Sequence, residues 1–316
     1  MLVYTHWTVS PPLVVKRSVS ALILALFLLA LSGCAGSLPE SVRQSVSVVV
    51  PTKIDFVELE YYAKRSRSAY DPIAEIRKAY PLVTRAVTLQ PIDVLYFIET
   101  DLANRKQTLS IRGTAQKSNV FEDIETALLP DNILDIPLHR GFKDVATAIH
   151  DNAVPYLRKD LPLRVTGHSL GGAAAVIVAA YLESEGYIVE RVVTFGQPKF
   201  TTEMPPVPKL ISVFTRVINE LDVVPMVPPY TVAKKYQHFS PEVILRAGPD
   251  FGYLNEHDAD RISVGDFWRN INDFSTKDHH MDGYLANIEG RVTAGSRQVP
   301  YLFKRKPEVQ KLTTTD

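Results

Sequence analysis

Between residues 163 and 182 the chain passes from strand to helix in one abrupt turn. Residues 163–166 form a short apolar run of β character that leads straight into Gly167-His168-Ser169-Leu170-Gly171. Residues 173–182, built mostly of Ala and Val, follow at helical length. So sharp a turn leaves no room for side chains on either side of its apex, which is where the glycines stand. A strand followed at once by a helix that packs back on it is the repeating unit of a parallel sheet.

The same alternation extends through the chain. Phe56, Leu59 and Ala63 share one helical face, as do Ile73, Ile76 and Tyr80, with Pro72 suited to a helix first turn. Residues 94–98 and 108–112 read as strands separated by a turn at Asn104-Arg105. Phe142, Val145, Ala146 and Ile149 return to helical spacing, which ends near Pro155. Residues 191–195 and 210–217 read as further strands. This pattern predicts an α/β fold with a mostly parallel central sheet and helices on both faces. In such sheets the chemistry gathers at the carboxyl ends of the strands. The 35 basic and 35 acidic side chains cancel, so no long-range field recommends a nucleic acid as partner.

The amino-terminal segment reads as something other than fold. Lys16 and Arg17 precede the apolar run 21–31, and Ser32-Gly33-Cys34 follows. A basic stretch, a short apolar core and small residues make a secretory signal, and the run is short for a permanent membrane span. Leu31-Ser32-Gly33-Cys34 resembles the bacterial lipoprotein signal, in which the cysteine is acylated. That would explain the only cysteine in the chain, which cannot form an internal disulfide. The expected organisation is a signal over 1–33, a Ser/Val-rich tether over 34–55 and one folded domain over 56–316. Acylated Cys34 would then hold the protein on a membrane, expected to be a bacterial outer membrane.

Gly-x-Ser-x-Gly between a strand and a helix makes Ser169 a candidate nucleophile. A serine hydroxyl needs a histidine to take its proton and a carboxylate to fix that histidine. His168 adjoins the serine, but neighbours on a sharp turn point apart, so it reads as packed or solvent-facing. Downstream, Asp222 follows the strand 210–217, with Glu220 as rival on the same loop. Four histidines follow: His238, expected in a strand; His257, among acids; and His279 and His280, on a loop before the helix 281–288. The adjacent pair suits a base, and only one of the two can serve.

Taken together, these segments resemble the fungal-type (class 3) lipases. The resemblance runs through Gly167-His168-Ser169-Leu170-Gly171-Gly172-Ala173, Ile111-Arg112-Gly113-Thr114, His139-Arg140-Gly141-Phe142 and Val193-Thr194-Phe195-Gly196-Gln197-Pro198. It continues through Arg216 to Asp222 with the prolines that follow, and Asp278-His279-His280-Met281-Asp282-Gly283-Tyr284-Leu285. It covers roughly residues 56–290 in order. It implies an α/β-hydrolase fold with Ser169, Asp222 and His279 as triad, His279 being chosen by its spacing to Tyr284. It implies an oxyanion hole from the backbone N–H groups of Thr114 and Leu170. The implied activity is hydrolysis of lipid carboxylic esters, with no cofactor.

Other readings compete: acyl transfer to another acceptor on the same triad, or a silent envelope scaffold. Residues 248–260 form an acidic, Gly-rich stretch without matched role. Asp250, Asp258 and Asp260 could approach a calcium ion, but no EF-hand spacing is present and no metal is expected. The stretch 115–121, at the place of the family's lid, offers only Val120 and Phe121 as strongly apolar members, so weak interfacial activation is expected.

Overall fold

The computed structural model describes residues 53–114, 127–228, 235–256, 258–259 and 276–301. These belong to one compact unit, Ser47–Asp316. The expected signal with Cys34, most of the expected tether, and the stretch 115–121 lie outside the described residues.

Asp55 opens the first helix, α1 (Phe56–Ser68), by accepting from the backbone N–H groups of Val57 and Glu58 at 2.9 and 3.1 Å. Ile54 packs against the core beside it, so the end of the expected tether is already part of the fold. A short α2 (Ile73–Ala79) leads into β1 (Val83–Leu89), β2 (Val94–Asp101) and β3 (Lys106–Ile111). A small hairpin, β4 (Leu128–Pro130) and β5 (Pro137–His139), precedes α3 (Arg140–Ala153). Then come β6 (Leu163–His168), α4 (Leu170–Ser184), β7 (Val189–Phe195), α5 (Pro208–Ser212) and β8 (Phe214–Asn219). The described chain continues with β9 (Glu242–Leu245), β10 (Asp250–Leu254), α6 (Met281–Ala294) and β11 (Arg297–Gln298).

The main sheet has the order β1-β2-β3-β6-β7-β8-β9-β10-β11. Its centre, β3-β6-β7-β8-β9, is parallel throughout. Antiparallel pairings of β1 with β2, β2 with β3, and β9 with β10 flank that centre. Strand residues alternate between two cores as the pleat requires. Val192 packs with α3 and α4 on one face, and its neighbour Val193 packs with α1 and α6 on the other. Every residue of α4 from Gly171 to Leu182 is buried. A helix enclosed on all sides must be apolar all round, and one rich in small side chains can lie close to the sheet.

Two expectations, the strand over 210–217 and the strand at His238, need correction, and the stretch 248–260 gains a structure. The strand expected over 210–217 starts late. Pro208 fixes a helical first turn, residues 208–212 are helical, and β8 begins only at Phe214. The acidic stretch 248–260 contains a strand, β10, whose Phe251 and Leu254 are buried. Its Asp250 is paired with Arg297 at 2.6 Å and Asp258 accepts from Asn255, while Asp260 lies outside the described residues. Among the described residues no group of three His, Cys, Asp or Glu side chains could hold a metal ion. Finally, His238 lies beside an isolated bridge at Gln237 and not in a strand, with its Nε2 2.7 Å from the Pro225 carbonyl.

Candidate active site

The site begins where β6 ends. Ser169 has φ +59° and ψ −132°, a backbone conformation that L side chains seldom adopt. The turn is held from several directions. Ser169 N–H donates to the Phe195 carbonyl at 2.9 Å, and Gly172 N–H donates back to the Ser169 carbonyl at 2.8 Å. A Cβ at Gly167 would lie 2.2 Å from the Gly171 carbonyl oxygen, and one at Gly171 would lie 2.5 Å from that of Ile111. Both glycines are therefore required by close backbone approach. Ser169 itself is only 3% exposed.

The end of β3 passes directly over this turn. A Cβ on Gly113 would come within 2.6 Å of the His168 carbonyl oxygen and 3.0 Å of Ser169 Cβ. Thr114, the next residue, is thus held beside the serine and is partly buried. Leu170 opens α4 immediately after the serine, where the helix dipole places partial positive charge. Both backbone N–H groups named from the resemblance belong to segments that meet at Ser169.

Asp222 lies beyond the end of β8 and is fully buried. Its Oδ1 accepts from Val224 N–H at 2.8 Å. Its Oδ2 accepts from His279 Nδ1–H at 2.8 Å and from the Tyr284 hydroxyl at 2.6 Å. A buried carboxylate is tolerable only with donors of this kind. Because the carboxylate accepts, His279 donates from Nδ1, and in the neutral ring this tautomer leaves Nε2 bare. Nε2 is buried and has no hydrogen-bond partner among the described residues, which is the state a proton acceptor needs. Burial, reinforced by the neighbouring Asp222, pushes the Tyr284 hydroxyl well above its ordinary value, so it stays a donor.

The rivals among the described residues are placed elsewhere. Glu220 forms an ion pair with Arg246 at 3.4 Å. His280 is exposed at the amino end of α6. His257 lies outside the described residues, and His238 is bound to Pro225. Of the two options for His168, the structure selects packing: it is 4% exposed, and its ring centroid is 4.6 Å from that of His279.

Two residues gain a place at the site that their sequence positions did not single out. Tyr284 served only as a spacing mark, yet it sits on the buried face of α6 with Met281 and Ile288. A tyrosine on a buried helix face signals a hydroxyl in need of a buried partner. Gly196, just past β7, has φ +55°. A Cβ there would stand 2.8 Å from Asp222 Oδ2 and 2.9 Å from His279 Nδ1.

The class 3 lipase family model matches residues 108–232. The chain is 25% identical over 253 residues to a secreted mono- and diacylglycerol lipase of Fusarium solani, covering 72% of this chain and 75% of that protein. It is 35% identical over 126 residues to a chloroplastic phospholipase A1 of Arabidopsis thaliana, a match covering 35% of this chain and 19% of that protein. The structure of lipase II from Rhizopus niveus superposes with a TM-score of 0.59 at 19% identity, covering 71% of this chain and 92% of that one. The protein has an α/β-hydrolase fold, and its residues 108–232 carry the pattern of the class 3 lipases.

Proposed function

We propose that the protein hydrolyses carboxylic ester bonds of lipids, with Ser169 as nucleophile, His279 as general base and Asp222 as the carboxylate that fixes it. The observation that carries this reading is the buried Asp222–His279 pair, whose Nε2 has no partner among the described residues and whose ring lies 4.6 Å from that of His168, the residue before the strained serine. Ser169 Oγ attacks the ester carbonyl while its proton passes to His279 Nε2. The backbone N–H groups of Thr114 and Leu170 hold the resulting oxyanion. The intermediate collapses, the ester C–O bond breaks, and His279 returns the proton to the departing alcohol. Water then attacks the acyl-serine, giving its proton to His279, which passes it back to Ser169 as the fatty acid leaves. The names of the two relatives point to acylglycerols and phospholipids as the substrate class.

The test is a panel of acylglycerols and phospholipids with released fatty acid as readout, alongside labelling by a fluorophosphonate probe. The wild-type protein should label and turn over ester. Ser169→Ala should fold, lose the label and lose several orders of magnitude in turnover. Near-normal turnover in the folded variant would remove Ser169 from the mechanism.

The localisation reading is a separate part of the proposal. Leu31-Ser32-Gly33-Cys34 supports a bacterial lipoprotein acylated on Cys34 and held at the outer membrane. Multiple acyl chains make such anchoring stable where one would be marginal. Mass spectrometry of the mature amino terminus should find lipidated Cys34, and an unmodified terminus at another residue would refute it.

A further inference from the structure

Behind the serine, two side chains outside the triad connect the segments that surround it. The Tyr70 hydroxyl is 2.7 Å from His168 Nδ1, and His168 Nε2 is 2.7 Å from the backbone carbonyl of His279. The directions of these bonds are forced. A carbonyl can only accept, so His168 carries its proton on Nε2 and its Nδ1 is bare. A bare Nδ1 must accept, so the Tyr70 hydroxyl donates to it. The Tyr70 oxygen in turn faces the backbone N–H of Gly113, which can only donate. One chain of donors therefore runs from Gly113 through Tyr70 and His168 to His279.

The ends of this chain are two requirements of the proposed chemistry. Gly113 precedes Thr114 on the oxyanion segment, and His279 is the base. His168 is buried, at 4% exposed, and Tyr70 is partly buried, with desolvation raising its hydroxyl above the ordinary value. Neither touches the triad side chains through a hydrogen bond. His168 bonds the main chain of His279, so it fixes where that imidazole starts.

We propose that Tyr70 and His168 are positioning residues that hold the oxyanion segment and the general base in register across Ser169. This rests on the serine hydrolase reading above. Misplacing a catalytic group by a fraction of an ångström lowers turnover without weakening substrate binding. The expected signature is thus a loss in kcat at unchanged KM.

The experiment uses the full chain with a short-chain p-nitrophenyl ester, rates being normalised to sites titrated by a fluorophosphonate. Tyr70→Phe removes one oxygen and should lower kcat about tenfold with KM within about twofold. His168→Phe should do the same. His168→Gln, which can restore an N–H near the Nε2 position, should recover most of the lost kcat. The double variant Tyr70→Phe/His168→Phe should be no worse than the worse single variant, because both break one chain. Wild-type kcat per titrated site in both Tyr70→Phe and His168→Phe would overturn the positioning role while leaving the hydrolase reading intact. Additive losses in the double variant would also overturn it. A wild-type protein that neither labels nor turns over ester would overturn the hydrolase reading, and this one with it.

Discussion

At the scale of single residues, Asp222 shows how one carboxylate is shared among three donors. Val224 N–H fixes Oδ1, while His279 and Tyr284 share Oδ2. Removing the Tyr284 hydroxyl leaves the carboxylate buried with one charge-assisted bond fewer, a loss of about 1.5–3 kcal/mol in typical cases. Tyr284→Phe should therefore lower kcat about tenfold or more without abolishing it, as steady-state kinetics would record. His279→Ala should abolish turnover, whereas His280→Ala, at an exposed position, should change it little. The opposite ranking of the two variants would exchange their roles. Ser169 was marked by its local strand–turn–helix pattern, whereas Asp222 over Glu220 and His279 over His280 were chosen only through the family resemblance. Tyr70 was marked by neither, since its partner His168 is 98 residues away and nothing local marks either as paired. His168 was visible as a residue pointing away from Ser169, but whether it met solvent or protein depended on the turn after α1 and on the loop before α6.

At the scale of elements, the site is assembled from the ends of neighbouring parallel strands. β3 brings Gly113 and Thr114, β6 brings Ser169, β7 brings Gly196 and β8 brings Asp222. Gly196 is the tightest junction. Its φ of +55° already disfavours a side chain, at about 1–2 kcal/mol. Its missing Cβ is also the space that Asp222 and His279 occupy. Gly196→Ala should consequently lower the melting temperature and cut kcat by at least about tenfold, because the pair must move apart. An alanine variant with unchanged kcat would mean that the pair can shift without losing alignment. α4 and β6 were legible because each is an apolar run of the right length on one side of the glycine turn. β10 was not, because its apolar residues are interrupted by Gly252 and bounded by acids, and because its strand character comes from pairing with β9. The start of β8 was obscured for a different reason: Leu210 and Ile211 are apolar in either helix or strand, and only Pro208 tips the balance.

At the scale of the whole molecule, the buried histidines make stability depend on pH in a definite direction. His168 and His238 are both held well below the ordinary histidine value, chiefly by burial. The neighbouring His279 adds to the effect at His168, and Arg216 and Lys199 add to it at His238. In the unfolded chain each would titrate near about 6.5. Between that value and the lower folded one, the unfolded state binds protons that the folded state does not. Stability is therefore complete above about pH 6.5 and falls as pH drops through the window beneath it, by up to about 1.4 kcal/mol per pH unit for each histidine. Most carboxylates titrate nearer pH 4, so the interval from pH 7.5 to 5.5 isolates the histidines. Thermal unfolding across that interval should show the melting temperature of the wild-type protein falling. His168→Gln and His238→Gln should each flatten the slope, whatever they do to stability at pH 7.5. A melting temperature independent of pH from 7.5 to 5.5 would show that both imidazoles remain able to take a proton in the folded state. The bond from His168 Nε2–H to the His279 carbonyl and that from His238 Nε2–H to the Pro225 carbonyl would then be donor bonds of charged rings, accommodated by charges that the neutral arrangement does not require.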